Sequence, residues 1–529
     1  MFDIKSNNDG RLSPESISFI QERLAIYLVG GPGHSSCRPN PNFTIDYPQR
    51  MLKITAEQVF LVDFDSSNIA NFAALSYCWG DKHTLELKPP LRLTAATLHN
   101  IRSGVQISEL PLTLKQAIDI CGYLDLEYIW IDALCIIQDN PSDWAREAKK
   151  MATVYATSAV TIIAASSTSC HSGFLTTTRN LFIVNTPPHP PLRLVAQPGR
   201  LSGFYSEIHI TSDHIDKRGW TLQEELLSTR YIKFTEDDVQ WMCGSGTECI
   251  CGQPTARDKL RPFLTTEYEE IQRQPREEWL SIAAGLANRH FSVATDKLQA
   301  LSGLARMNES EMQSIYVAGI WKSHMQPEPN STSTRTALAW KVKDIGRCYE
   351  AYVAPSFSWA SLDSSIFLYD NVPARSVCDI ITVGTTPTSP SDPFGRVSDG
   401  FLTISGPVLP CVISGSGEDR LTYHVGIEWD LEATFLYCSL DCPVRRILLD
   451  DDEHTLHRHP HGETKFESTA AHVIVLYLGS STMMGLVLGR EPGRGCYQRI
   501  AFVHAKLTNA AVTQLNKLER HHRQEITIR

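Results

Sequence analysis

Between Phe72 and Ser166 three short apolar runs alternate with two amphipathic helical stretches, and that alternation restricts the chain to few folds. "FAALSYCWG" (72–80), "YIWIDALCI" (128–136) and "AVTIIAAS" (159–166) are strand-like and continuous in their apolar character, as strands buried on both faces are. The stretch "LPLTLKQAIDICGYLDL" places Leu114, Ala117, Ile118, Cys121 and Leu124 on one helical face. In "NPSDWAREAKKMATVYA", Asn140 reads as an N-cap and Pro141 as the first helical residue, with Trp144, Ala148, Met151 and Tyr155 along one face. Connections of this length and type are what parallel neighbours require. The spacing therefore predicts a mainly parallel sheet with flanking helices, an α/β fold.

In such sheets ligands bind beyond the carboxyl ends of the strands. Here those ends are "SYCWGD", "DALCIIQD" and "ASSTSCHSG". The second holds Asp132 within an otherwise apolar run. An ionised carboxylate buried without partners is costly. Asp132 is therefore at the strand's mouth, paired structurally, or part of a site.

Further along, "RGWTLQEELLSTRYIKFTEDDVQWMC" reads as a helix followed by a strand, and 277–306 as helical, with Trp279, Ile282, Ala283 and Leu286 at helical spacing. Beyond Gly400 the runs "FLTISGPVLPCVI", "HVIVLYLGS" and "CYQRIAFVHAKL" are rich in Val, Ile and Tyr and separated by Gly, which predicts a β-rich region. A Pro-rich break falls at 186–199, and no internal repeat is visible. The organisation expected is an N-terminal extension (1–50), an α/β domain (51–240), a mainly helical middle region (241–345) and a β-rich C-terminal domain (346–529).

With 529 residues the chain exceeds one ordinary core. Its 49 basic and 59 acidic residues leave a net charge of −10, which argues against a general binder of nucleic acid or anionic membrane. The start lacks a basic segment followed by an apolar stretch, and the best apolar runs, "AVTIIAA" and "VIVLYL", fall well short of the ~20 residues that span a bilayer. Most of the 14 cysteines sit in apolar context, as buried thiols do in a reducing compartment. A cytoplasmic protein without nucleic-acid or membrane partners is expected.

Four blocks in order, "FAALSYCWGD", "LPLTLKQAIDIC", "YIWIDALCIIQDNPSDWAREAKKMATVYATSAVTIIAASS" and "RGWTLQEELLSTR", resemble the fungal heterokaryon-incompatibility (HET) domain over roughly residues 50–235. More thinly, "DKLQALSGLA", "YVAGIWK" and "YVAPSFSWASLD" are similar to the C-terminal half often attached to it. The resemblance implies a role in non-self recognition and programmed cell death, exercised through protein partners and including self-association. Some members lie in metabolite gene clusters, so an enzyme of fungal secondary metabolism is an alternative.

The HET domain in turn resembles TIR domains, some of which cleave the nicotinamide–ribose bond of NAD. "ALSYCWGD" is similar to the TIR entry strand and loop, and "GWTLQEELL" to the helix on which a Trp precedes the catalytic Glu by four residues. The resemblance places Trp220 and Glu224 in those positions, with Thr221 where TIR domains carry Cys and Glu225 as a competing carboxylate. It implies Glu224 as a catalytic candidate, NAD as a substrate, and a small molecule or nucleotide as ligand; Asp132 joins it as a second catalytic candidate from the residues themselves, to fix a ribose hydroxyl or orient Glu224.

Read from the residues, Glu224 fits either the stabilisation of a ribosyl cation or an ordinary helix ion pair. Asp132 fits either a ribose contact or a carboxylate satisfying backbone N–H groups. Tyr77, Trp79, Gly80 and Asp81, on the loop leaving the first strand, are candidates for holding a base or nicotinamide. Their ordinary roles are core packing for the rings and a tight turn for Gly80. Cys78 and Cys135 lack any visible base and read as structural. Cys243, Cys249 and Cys251 lack zinc spacing, and 450–463 ("DDDEHTLHRHPHGE") reads as a solvated insertion, so no metal is expected. "GGPGHSS" (30–36) is a turn, not a phosphate loop.

Overall fold

The computed structural model describes residues 2–3, 12–28, 46–65, 71–175, 180–184, 192–196, 213–236, 238–244, 246–250, 275–328, 335–415, 423–427, 433–442, 444–448, 454–458, 469–491, 493–521 and 523–529. The glycine-rich turn at 30–36, Cys251 and most of 450–463 lie outside the described residues. The chain divides into two units, Met1–Arg273 and Gln274–Arg529.

The first unit is built on a sheet of nine strands among the described residues: β1 (Arg50–Ile54), β2 (Gln58–Asp63), β3 (Ala73–Ser76), β4 (Val105–Gln106), β5 (Tyr128–Trp130), β6 (Val160–Ile163), β7 (Arg230–Phe234), β8 (Val239–Cys243) and β9 (Gly246–Cys249). Across the sheet they run β9-β8-β7-β6-β3-β5-β1-β2-β4. The pairs β7–β6, β6–β3 and β3–β5 are parallel. The expected trio of parallel neighbours is therefore present at the centre.

The expectation of a mainly parallel sheet needs correction, because both flanks are antiparallel. The reason lies in the connections. Three residues separate β1 from β2, and four separate β7 from β8, too few for a crossover. The strands are also shorter than the apolar runs. The Tyr128–Ile136 run pairs only through Trp130, and Asp132–Cys135 forms a single helical turn.

Helices α1 (Leu112–Tyr123), α2 (Pro141–Thr157) and α3 (Gly219–Leu227) belong to the same unit. On α1, Leu114, Ala117, Ile118 and Cys121 are buried, as the periodicity predicts. On α2, Asn140 Oδ1 accepts from the N–H groups of Ser142 (3.0 Å) and Asp143 (3.1 Å), with Pro141 behind it. Ala148, Met151 and Tyr155 are buried beneath. No helix among the described residues is long and apolar enough to cross a membrane.

The second unit carries the expected β-rich region. Strands Val397–Gly415, Tyr423–Ile427, Ala433–Leu440, Tyr497–Leu507, Thr482–Arg490 and Thr469–Leu478 pair in that order, and the last pairs back to the first. Leu409, Cys438, Val473, Val487 and Val503 pack within this closed ring, joined by Ala511, Leu515 and Leu518 of the helix Asn509–His521. The 277–306 stretch is two helices, Pro275–Ala287 and Asp296–Met312, not one. Asn288, Ser292 and Thr295 in the break are residues whose side chains compete with helical backbone bonding.

A buried ion pair fastens the loop that holds Asp132. Arg50 of β1 donates to Asp143 Oδ2 at 2.5 Å and to the Cys135 carbonyl at 2.9 Å, while Asp143 accepts from the Ile137 N–H at 2.8 Å. Arg50 and Asp143 are both buried. Removing one partner strands the other charge, a loss of roughly 3 kcal/mol or more. Asp143→Ala should therefore lower unfolding stability in denaturant by about that amount. A loss below roughly 1 kcal/mol would mean the pair is solvated, as surface pairs are.

Candidate functional site

Strand β3 lies between β5 and β6, whose chain connections run to opposite sides of it, so the strand order reverses at β3. That is the point at which open α/β sheets bind ligands. Four polypeptide segments meet there: the loop Tyr77–Asp81 leaving β3, the turn at Asp132 after β5, the loop 164–172 after β6, and the start of α3 with Arg218.

Gly80 allows the loop leaving β3 and the loop after β6 to approach closely. Its φ is +120°, and a Cβ there would sit 3.1 Å from the Ser169 Cβ. The Trp79 carbonyl accepts from the Cys170 N–H at 3.1 Å, which ties the β3 exit to the β6 exit. Asp132 Oδ2 accepts the Trp79 indole N–H at 2.8 Å, and Oδ1 accepts the Ala133 N–H at 2.7 Å. The Tyr77 hydroxyl is also in hydrogen-bond contact with Asp132. Asp132 is thus at a mouth and fully engaged. Burial raises its carboxyl above the usual range, against the pull of Arg218 and its donors.

Glu224 comes from the middle of α3, where it is only 7% exposed. Its Oε2 accepts a short hydrogen bond from the hydroxyl of Ser76, the last residue of β3. The Tyr155 hydroxyl, from α2, lies 3.3 Å from the Leu75 carbonyl and in hydrogen-bond contact with Glu224. Arg218 donates to the Tyr77 carbonyl and acts electrostatically on both Glu224 and Asp132. Burial pushes Glu224 up to about 7, with Ser76 and Arg218 pulling the other way.

The remaining candidates divide clearly. Trp79 is half-buried at the mouth beside Asp132, whereas Tyr77 is buried, so its hydroxyl faces Asp132 and its ring packs in the core. Asp81 does not join this group: it caps the short helix Lys82–Leu87, accepting from the Thr84 N–H at 2.7 Å, and that bond holds its carboxyl below the usual range. Glu225 points elsewhere, accepting from the Tyr231 hydroxyl at 2.9 Å and lying 3.6 Å from Lys233. The Trp220 ring meets Trp144 edge-on at 6.1 Å, a packing role. Burial pushes the Cys78 thiol up and that of Cys135 up to about 12, leaving both unreactive.

Sequence reading missed Ser76, Tyr155 and Arg218. Ser76 had a signal: it is the one hydroxyl in the buried run Ala73–Ser76. Arg218 stands directly before the helix that carries Glu224, and a cation beside a candidate carboxylate could have been weighed. Tyr155 was placed on a packing face, which is correct for its ring and silent about its hydroxyl. Among the described residues no cluster of His, Cys, Asp and Glu is arranged to hold a metal ion.

Residues 72–224, from the residue before β3 to Glu224 itself, match the family model described as heterokaryon incompatibility protein (HET), so the first unit carries a HET domain. No curated protein and no solved structure matches the chain.

The titration of Glu224 has a consequence for stability. A carboxyl raised in the folded state binds its proton more tightly there than in the unfolded chain. Its contribution is intact below the ordinary glutamate pKa and is lost as pH rises through about 7. Wild type should therefore lose roughly 3 kcal/mol relative to Glu224→Gln between mildly acidic and neutral pH, followed as paired thermal midpoints. Parallel curves across that window would mean that Glu224 is solvated.

Proposed function

We propose that this chain is a heterokaryon-incompatibility effector of a fungal cytoplasm whose HET domain cleaves the bond between nicotinamide and ribose in NAD. Depletion of NAD would then be the route to cell death after non-self contact, released or restrained by protein partners. The observation that supports this reading best is the placement of Glu224: a near-neutral carboxyl, fixed by Ser76, at the switch point in the parallel centre of a mixed sheet.

The charge balance fits such a substrate. The mouth offers two carboxyls, Glu224 and Asp132, against the one guanidinium of Arg218. With both carboxyls ionised the group is net negative, complementary to a pyridinium ring and to the ribosyl cation that forms as it leaves. In this mechanism the C1′–N1 bond breaks, its electrons pass to the ring nitrogen, and nicotinamide leaves neutral. Positive charge on C1′ and the ring oxygen is stabilised by the Glu224 carboxylate. Water then attacks C1′ and gives its proton to Glu224, yielding ADP-ribose. A base titrating near 7 is suited to accept that proton at cellular pH. Asp132 would accept from a ribose hydroxyl in place of the Trp79 indole.

A non-catalytic signalling module is the second reading, and the complete set of donors around Asp132 favours it, since nothing there is left unsatisfied. The two separate in one experiment. Purified full-length protein, alone and artificially oligomerised, is incubated with NAD and nicotinamide is measured. The enzyme reading predicts release, a loss of at least ~100-fold in Glu224→Gln, and near-normal rates in Glu225→Gln. No release from wild type in either state, or equal release from Glu224→Gln, would overturn it in favour of the signalling module.

A further inference from the structure

The Ser76–Glu224 contact is built into the sheet from both ends. Ser76 is 1% exposed and closes a strand whose other three residues, Ala73, Ala74 and Leu75, are apolar. Its main chain is held in the parallel ladder, with the Ser76 carbonyl accepting from the Ala164 N–H at 2.9 Å. Its Oγ donates to Glu224 Oε2. On the other side, the Glu224 carbonyl accepts from Ser228 Oγ at 2.6 Å, and that Oγ lies 2.7 Å from Thr161 Oγ1 on β6. Adjacent parallel strands thus grip one glutamate, β3 by its carboxyl and β6 by its backbone.

A hydroxyl buried in an apolar strand without a partner is costly. Satisfying that hydroxyl alone would need any acceptor, and backbone carbonyls supply them throughout the sheet. Directing it at a carboxyl that burial holds near neutrality does something more. A donor on a carboxylate favours the ionised form and fixes the orientation of the group.

We propose that Ser76 is a positioning residue for Glu224, and that the pair, rather than Glu224 alone, sets the pH at which the site works. The kinetic part of this inference rests on the NAD-cleaving reading; the electrostatic part does not. Other groups act on the same carboxyl: Arg218 before α3, Asp132 after β5, Tyr155 on α2, and Cys78 beyond β3. All of them are left unchanged in the test.

The test uses the full chain as wild type, Ser76→Ala, Glu224→Gln and the double variant. Nicotinamide release from NAD is followed across the neutral range. In Ser76→Ala the acidic limb of the rate profile should move up by about one pH unit, and kcat should fall ~10-fold with KM little changed. The double variant should be no slower than Glu224→Gln, because Ser76 acts through that carboxyl. An unmoved limb, or losses that multiply in the double variant, would overturn the proposal.

If wild type releases no nicotinamide, the NAD reading falls but the positioning role is still decided by stability. The pH at which the widening difference in thermal midpoint between wild type and Glu224→Gln levels off, set by the folded-state carboxyl, is compared with the same levelling in the Ser76→Ala background. Displacement to higher pH supports the role, and coincidence overturns it. Should Ser76→Ala not fold, Ser76→Cys keeps the shape with a weaker donor, and a smaller displacement in the same direction is expected. Coincidence in that variant overturns the role equally.

Discussion

The first unit depends on the double pairing of β3. Ala73–Ser76 is only four residues long, is buried on both faces, and is hydrogen-bonded in parallel to β5 and β6. A strand so placed cannot end in water, and its polar exit must be satisfied by whatever lies beyond. Ser76 finds Glu224, the Tyr77 hydroxyl finds Asp132, and the Tyr77 carbonyl finds Arg218. The constellation at the mouth is thus the way in which the central strand stops. The Arg50–Asp143 pair performs a similar service for the neighbouring loop, so that Asp132 is carried on a segment fixed at both ends.

That arrangement puts two carboxyls and one guanidinium into a small, poorly solvated space. Such a group costs stability, because burial opposes charge on Glu224 and Asp132 alike. Core packing alone would not demand it, since leucine or glutamine would fill the same volume. Perturbed titration combined with a switch-point position is a recognised mark of functional sites, though ion-pair networks produce it too. Unit two offers the contrast. There Arg499 is fully buried, bonded to Asp441 at 2.8 Å and to the carbonyls of Leu338 and Trp340, and stacked on the Trp340 ring. Each of its three side-chain nitrogens has a protein partner. The same elements there make a structural clamp.

Much of this was legible in the sequence. The two amphipathic helices, the cap at Asn140 and the three parallel strands follow from periodicity and spacing, which are local. The antiparallel flanks were not anticipated, because pairing direction at a sheet edge depends on turn length and not on apolar content. Helix Gly219–Leu227 was found through the order of its residues, and Glu224, singled out from the same stretch, is the buried carboxyl that meets the end of β3. Asp81 was grouped with the site by proximity in sequence, yet a cap position on a short helix turns it to solvent. Ser76, Tyr155 and Arg218 escaped notice because their roles come from long-range contacts. Ser76 and Glu224 are 148 residues apart, and only the closed sheet makes them neighbours.

The most direct measurement is a crystal structure of the full-length protein with a hydrolysis-resistant carbocyclic analogue of NAD. The account predicts the analogue at the carboxyl end of β3, with its anomeric carbon against the Glu224 carboxylate, a ring hydroxyl on Asp132 and the Trp79 indole displaced. An analogue bound elsewhere, or no binding with Glu224 still closed onto Ser76, would contradict it.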